Sequence, residues 1–236
     1  MNQTKYFNPF IFVFLFLLQF NGFSASIKKK SISTDQFKSI WVGSGIDLYL
    51  SQGSEHKVSI ECDNQIMDKI IVVVQNEVLT IKASETIRWA KRETPKVTVT
   101  CTTLKQIDAT GGSDVFSLEP ITYDTLTITA NTGSDIYLTL RSKFLKVIAN
   151  GGSDINLTGS AETLIASAYS GSDINASNLP VNICHIIVKG GSEAVVNVID
   201  ELYADASEDS DIGYIGKPET LQLNEVGSSD IYRGDH

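Results

Sequence analysis

Beyond residue 103 the apolar positions recur on two scales. Locally they alternate. Leu126, Ile128 and Ala130 stand every second residue, as do Leu145, Val147 and Ala149, then Leu164, Ala166 and Ala168, with Thr127, Thr129, Lys146 and Ser167 among the residues between them. A period of two is the mark of a strand with one face turned inward and the other outward. The second scale is a unit of about 19 residues. A Ser-acid pair punctuates it, with the acid at Asp114, Asp135, Asp154, Asp173, Glu193, Asp211 and Asp230, in steps of 21, 19, 19, 20, 18 and 19 residues. Ser precedes the acid in all seven copies, Gly precedes that Ser in five, and an apolar residue follows the acid every time (Val115, Ile136, Ile155, Ile174, Ala194, Ile212, Ile231).

A unit this short holds two strands and two corners, and it cannot bury its apolar face alone. Stacked copies can, because each strand pairs with its equivalent in the next copy at about 4.8 Å and like residues fall into columns. The pattern therefore predicts an all-β fold, a single-stranded parallel β-helix (solenoid) with Gly-Ser-Asp at one corner of each rung. Right-handed winding is the default for parallel crossovers. Helical repeats are excluded by the period of two and by the β-branched residues that fill it.

The N-terminal part follows the same logic less regularly. In "IWVGSGIDLYLSQG" (Ile40 to Gly53) the stretch Gly43-Ser44-Gly45-Ile46 puts Gly where the acid would stand. "VVVQNEVLTI" reads as a hairpin turning at Gln75-Asn76-Glu77, and Ser84 to Pro95 is the most loop-like stretch. Residues 31–103 are thus read as an irregular N-terminal part of the solenoid with a hairpin, and residues 104–236 as its regular rungs. Trp41 reads as core. Trp89, in the polar stretch, reads as an exposed contact.

Residues 1–24 read as a secretory signal peptide. Phe10 to Leu18 is an uninterrupted apolar run, too short to span a bilayer, and small residues follow in "NGFSAS", with cleavage after Ser24 or Ser26. No later segment is apolar enough to cross a membrane, so the expected location is outside the cytoplasm: periplasm, cell surface or medium. The net charge of the whole chain is −9, and residues 190–236 alone carry 2 basic and 11 acidic side chains. Such a surface repels phosphate backbones, which argues against a nucleic-acid partner. Cys62, Cys101 and Cys184 are the three cysteines. A Cys62–Cys101 bridge is one arrangement; three buried thiols acting as small hydrophobes is the favoured one.

The order "FKSIWVGSGIDLYLSQGSEHKVSIECDNQIMDKIIVVVQNEVLTIKAS", then "PKVTVTCTTLKQIDATGGSDV", then Ser-Asp repeats resembles a bacterial envelope family, the putative auto-transporter adhesins with a head GIN domain. The resemblance covers roughly Phe37 to Tyr232. It implies a β-helix, an exported location and an adhesive role.

Candidate chemistry concentrates at the corner. Asp114, Asp135, Asp154 and Asp173 could shape the turn, with Ser and Asp side chains accepting backbone N–H groups a residue or two on. They could instead hold a cation. Stacked carboxylates about 5 Å apart repel by roughly 1 kcal/mol per pair in water, and calcium takes such oxygens flexibly. No cofactor is otherwise implied. A carbohydrate-active enzyme would gather acids into one cluster with basic neighbours, whereas these acids recur uniformly, so the chain reads as non-catalytic. Two residues after the acid, outward positions carry Phe116, Tyr137, Asn156, Asn175 and, at the end, Tyr232. With Trp89 these are the candidate contacts for a glycan or protein ligand. A purely structural envelope role is the alternative, and a carbohydrate-active β-helix enzyme the second.

Overall fold

The computed structural model describes residues 27–84 and 94–234. The expected signal peptide and Trp89 lie outside the described residues. The chain forms a β-solenoid of about seven turns at the expected ~19-residue spacing. Among the described residues seventeen strands build it: β1 (Ile27–Ser33), β2 (Ser39–Val42), β3 (Asp47–Gln52), β4 (Lys57–Asp63), β5 (Ile70–Gln75), β6 (Val78–Ala83), β7 (Lys96–Cys101), β8 (Gln106–Thr110), β9 (Val115–Ser117), β10 (Ile121–Asn131), β11 (Ile136–Asn150), β12 (Asp154–Tyr169), β13 (Asp173–Lys189), β14 (Glu193–Ser207), β15 (Asp211–Gly216), β16 (Thr220–Val226) and β17 (Asp230–Arg233).

Strands β11 to β14 are long because each starts after one Gly-Ser-Asp corner and runs to the next. On the way it passes a second, distal bend near residues 140–143 in β11 and 159–162 in β12. Every pairing from β8 through β17 is parallel, and equivalent residues meet: Ala109 with Ala130, Ala130 with Ala149, Ala149 with Ala168, Ala168 with Val188. The inward columns are buried, as the period of two requires; Ile107, Ile128, Val147, Ala166, Ile186 and Ala204 form one of them. Each fully buried aliphatic side chain stabilises the fold by about 1.5–3 kcal/mol. One continuous core runs from Phe37 to Tyr214.

The N-terminal rungs are not stacked in chain order. β2 lies between β6 and β8, and β3 between β7 and β9, all in parallel. The first rung of the chain is therefore inserted between two later ones. The expected hairpin joins β5 and β6 in antiparallel register, and Asn76 and Glu77 turn with φ of 50° and 61°. Antiparallel strands β4 and β1 cover the edge of β7. The opposite end is different. β16 pairs with β14 and β17 with β15, and among the described residues neither has a strand on its far side. Leu221 and Leu223 are 45% and 41% exposed although they stand in register with buried Leu202 and Ala204. Glu225 occupies the register of Ala206, and its carboxylate accepts the Ile231 N–H at 2.8 Å. A charge at a core position is a known way to blunt an open edge.

Several expectations need correction. Trp41 is not core: it lies on the outward face of β2, half-buried, with its ring over Gly43. The cause is the alternation itself, because its neighbours Ile40 and Val42 take the inward positions. The stretch Gly43 to Ile46 does not replace the acid with Gly. Leu48 pairs with Val115, which brings Asp47 into register with Asp114 and Ile46 into the place of Ser113. The three cysteines, by contrast, are buried free thiols as the favoured arrangement has them, and burial raises the pKa of each, that of Cys184 to about 12.

Candidate functional site

The Gly-Ser-Asp corner begins with two consecutive left-handed residues. Gly151 and Gly152 adopt φ of 71° and 70°, an arrangement only glycine takes without cost. Thr132 with Gly133, and Glu208 with Asp209, hold the same conformation with side chains present. Two left-handed residues reverse the chain tightly enough to deliver the next residue, Ser, to the interior.

Ser113, Ser134, Ser153, Ser172, Ser192, Ser210 and Ser229 are all buried. Their hydroxyl oxygens form a continuous ladder. Ser113 N–H donates to Ser134 Oγ, Ser134 N–H to Ser153 Oγ, Ser153 N–H to Ser172 Oγ, Ser172 N–H to Ser192 Oγ and Ser192 N–H to Ser210 Oγ, each at 3.1 Å. Ile46 N–H begins the ladder on Ser113 Oγ, and Ser210 N–H ends it on Ser229 Oγ, both at 3.0 Å. Sequence reasoning expected local turns that satisfy amides a residue or two along the chain. The bonds run from rung to rung instead, across 18 to 21 residues. The reason is geometric: a corner amide inside the stack faces the next rung, not its own turn, and a buried N–H needs a partner.

The acid beside each Ser points outward. Asp135 N–H donates to Asp114 Oδ1 and Asp154 N–H to Asp135 Oδ1, both at 3.3 Å; Glu193 N–H donates to Asp173 Oδ1 at 3.2 Å and Asp230 N–H to Asp211 Oδ1 at 3.1 Å. The four acids singled out from sequence therefore share one column, and Asp47 joins it at the N-terminal side. Partial burial, and after it the neighbouring carboxylates, hold Asp47 and Asp154 above the usual carboxylate range. Asp114 is raised by burial, which its hydrogen bond from Asp135 opposes. Among the described residues no group of three His, Cys, Asp or Glu side chains is disposed to hold a metal ion.

Two residues further on, the outward column reads Tyr49, Phe116, Tyr137, Asn156 and Asn175 in successive rungs. The rings stack: Tyr49 on Phe116 at 5.2 Å between centroids, Phe116 on Tyr137 at 5.3 Å with planes only 5° apart. Tyr137 is 41% exposed. Partial burial and then the carboxylates of Asp135, Asp114 and Asp154 push its phenol above its ordinary value. Asn175 Oδ1 accepts from the backbone N–H and the hydroxyl of Ser177. Tyr232, 51% exposed, belongs to the same column but stands apart from this cluster, because Val195 and Gly213 intervene and its ring lies over Gly213. Sequence reasoning missed Tyr49 together with Asp47. The signal was present: Ile40 and Val42 stand seven and five residues before Asp47, as Ile107 and Ala109 stand before Asp114.

Residues 36–218 match the family described as putative auto-transporter adhesin, head GIN domain. The chain belongs to this family. Solved structures share the fold of this GIN-domain chain. A putative adhesin from Bacteroides fragilis is 23% identical with a TM-score of 0.82, over 89% of this chain and 98% of that one. A putative adhesin from Parabacteroides merdae is 20% identical with a TM-score of 0.73, over 91% and 98%. A protein described as a putative lipid binding protein, from Parabacteroides distasonis, is 15% identical with a TM-score of 0.63, over 91% and 98%. No curated protein matches the chain. The family and the adhesins among these structures carry adhesin names, not enzyme names. No helix among the described residues is long and apolar enough to cross a membrane.

Proposed function

We propose that this GIN-domain chain is an exported, non-catalytic protein of the cell envelope that binds a glycan through the outward face of β3, β9, β11, β12 and β13. The observation that carries the reading is the column of stacked rings, Tyr49, Phe116 and Tyr137, running directly into Asn156 and Asn175 beside the acids. Stacked rungs hold these groups at a fixed spacing of about 4.8 Å. A rigid row of aromatic edges, amides and carboxylates suits the alternating apolar and hydroxyl surfaces of a sugar chain. The family's adhesin description supports it. Glycan-array binding by the purified chain, lost in Tyr137→Ala and Asn156→Ala, is the expected result. Absence of binding at high protein concentration overturns it. Capture of a protein ligand by this face, with no glycan bound, would replace the glycan with a protein.

A purely structural envelope role is the second reading, and a specific observation favours it. The faces of Phe116 are occupied by Tyr49 and Tyr137, and four acids of the column already accept backbone N–H groups. These side chains stabilise their own stack whether or not a ligand comes.

A further inference from the structure

The distal bend carries a groove of about 390 Å³ whose lining positions stand in register from rung to rung but whose residue types do not repeat. It crosses β10 to β14, and Arg141, Ser142, Ser160, Glu162, Asn182 and Ile199 are among the residues that line it. Its volume lies in the range of small-molecule sites. The irregularity that shapes it is visible in the strand pairing. Rungs of unequal length are accommodated on this side, where register shifts fall between Ala176 and Pro180 and between Val181 and Ile183.

The groove gathers cations that are otherwise scarce in the central rungs. Residues 112–189 contain four basic side chains, Arg141, Lys143, Lys146 and Lys189, and two of them line this groove. Lys143 is neutralised by Asp124 at 3.1 Å. Arg141 is exposed and, among the described residues, has neither ion pair nor hydrogen bond. Around it stand hydrogen-bonding groups with capacity to spare. Asn182 gives its amide N–H to Asp200 at 2.7 Å, which leaves its carbonyl oxygen available. Ser142 donates to the Phe144 carbonyl at 2.9 Å and keeps its acceptor lone pairs. Glu162 and Ser160 are exposed. Ile199, 49% exposed, and Pro180 supply an apolar floor.

We propose that this groove is a subsite for a carboxylated sugar, with Arg141 as the carboxylate receptor. The guanidinium fork matches one carboxylate with two parallel hydrogen bonds. Sugar hydroxyls donate to Glu162, to the Asn182 carbonyl and to Ser142, and the C–H face of the ring rests on Ile199 and Pro180. A phosphate chain fits badly, because the groove offers one unpaired cation and Glu162, which also lines it, repels a second negative charge. An acidic peptide brings carboxylates but no hydroxyls for the acceptors. The site is separate from the aromatic column, and its test does not depend on that reading.

The test is an NMR titration of the folded chain with methyl β-D-glucuronide, methyl β-D-glucoside and a glutamate-rich peptide. The expected result is saturable shifts at the amides of Ser142, Ser160 and Asn182 with the glucuronide, weaker by about tenfold or more with the glucoside and in Arg141→Ala. Arg141→Lys should restore part of the affinity, and raised salt should weaken it. The spectrum of Arg141→Ala without ligand reports whether that variant is folded. Equal affinity for the glucoside, unchanged affinity in a folded Arg141→Ala, or tighter binding of the peptide at the same amides overturns the proposal.

Discussion

The Gly-Ser-Asp corner and the distal bend close the same rung by opposite means. At the corner six rungs, from Gly111 to Asp211, repeat one solution: two left-handed residues, a buried Ser bonded to the next rung and an outward acid. At the distal bend the rungs agree only in part. Gly159 and Gly216 turn there with φ of 116° and 108°, Lys143 pairs with Asp124, and the register shifts. The corner must repeat because its polar groups are buried and each depends on the rung above. The bend faces solvent, so water can satisfy its backbone and the chain is free to vary. Repetition marks what the fold needs, and the varied side is where a surface unlike its neighbours can arise.

The difference can be tested with one substitution at two places. A Cβ on Gly159 would lie 1.9 Å from the Leu140 carbonyl oxygen, whereas one on Gly152 meets nothing within 4 Å. Gly159→Ala forces two hydrogen-bonded strands apart and should cost about 3 kcal/mol or more. Gly152→Ala bears only the left-handed penalty, about 1–2 kcal/mol. Chemical denaturation of both variants measures the gap. Equal losses would mean that the distal bend relaxes freely.

A second comparison lies inside the corner, between adjacent residues. Ser172→Ala leaves the buried Ser153 N–H without an acceptor and should cost about 1–3 kcal/mol. Asp173→Ala removes the acceptor of Glu193 N–H, but both residues are exposed and water replaces it, so the change should stay within about 0.5 kcal/mol. Denaturation midpoints that rank the two the other way would show that the acid column, not the Ser ladder, holds the corner.

This asymmetry also explains what could be read from the sequence. The column of Ala130, Ala149 and Ala168 and the recurrence of Ser before each acid were legible because identical demands in each rung select identical residues. The sense of the hydrogen bonds was not, since a Ser-Asp pair is equally at home in a local turn, and only the stack shows that the next rung is nearer. Asp47 and Tyr49 were hidden because Ile46 stands where every later copy has Ser. The insertion of β2 and β3 between later rungs leaves no trace in period or spacing, which describe a strand and not its neighbour. Trp41 was misplaced by residue type, although the alternation around it pointed outward. The Arg141 groove was invisible for the same reason that the bend varies: Thr122, Arg141 and Ser160 stand in register, but no residue type recurs among them.

A smaller effect probes how closely the corner prefers glycine. Thr132 is β-branched and holds φ of 57° where Gly151 and Gly190 serve in other rungs. Thr132→Gly removes that strain at the expense of a more flexible unfolded chain, for a net gain of about 0.5–1 kcal/mol. Thermal melting should show a higher midpoint. A lower one would mean that the Thr132 side chain contributes contacts that outweigh its backbone strain.

The smallest effect concerns the acids, and its sign separates them from ordinary surface carboxylates. Asp47, Asp114 and Asp154, and Asp108 on β8, are all held above the ordinary carboxylate range, by burial first. The folded chain therefore binds protons more tightly than the unfolded chain between that range and the raised values. In this window the native state carries more bound protons, so the dependence of stability on pH is negative. Stability is lost as pH rises through the raised values and is fully present below the ordinary carboxylate range. Solvent screening keeps the gain small, since these groups are partly exposed. The melting temperature should thus climb modestly as pH falls from about 7 toward 4. In Asp154→Asn the climb should flatten, because Asp135 and Asp173 both act on that carboxylate. A melting temperature that falls steadily with acid would instead make the column a set of stabilising ionised acceptors, and the outward acids would then rank with the buried serines as a demand of the fold.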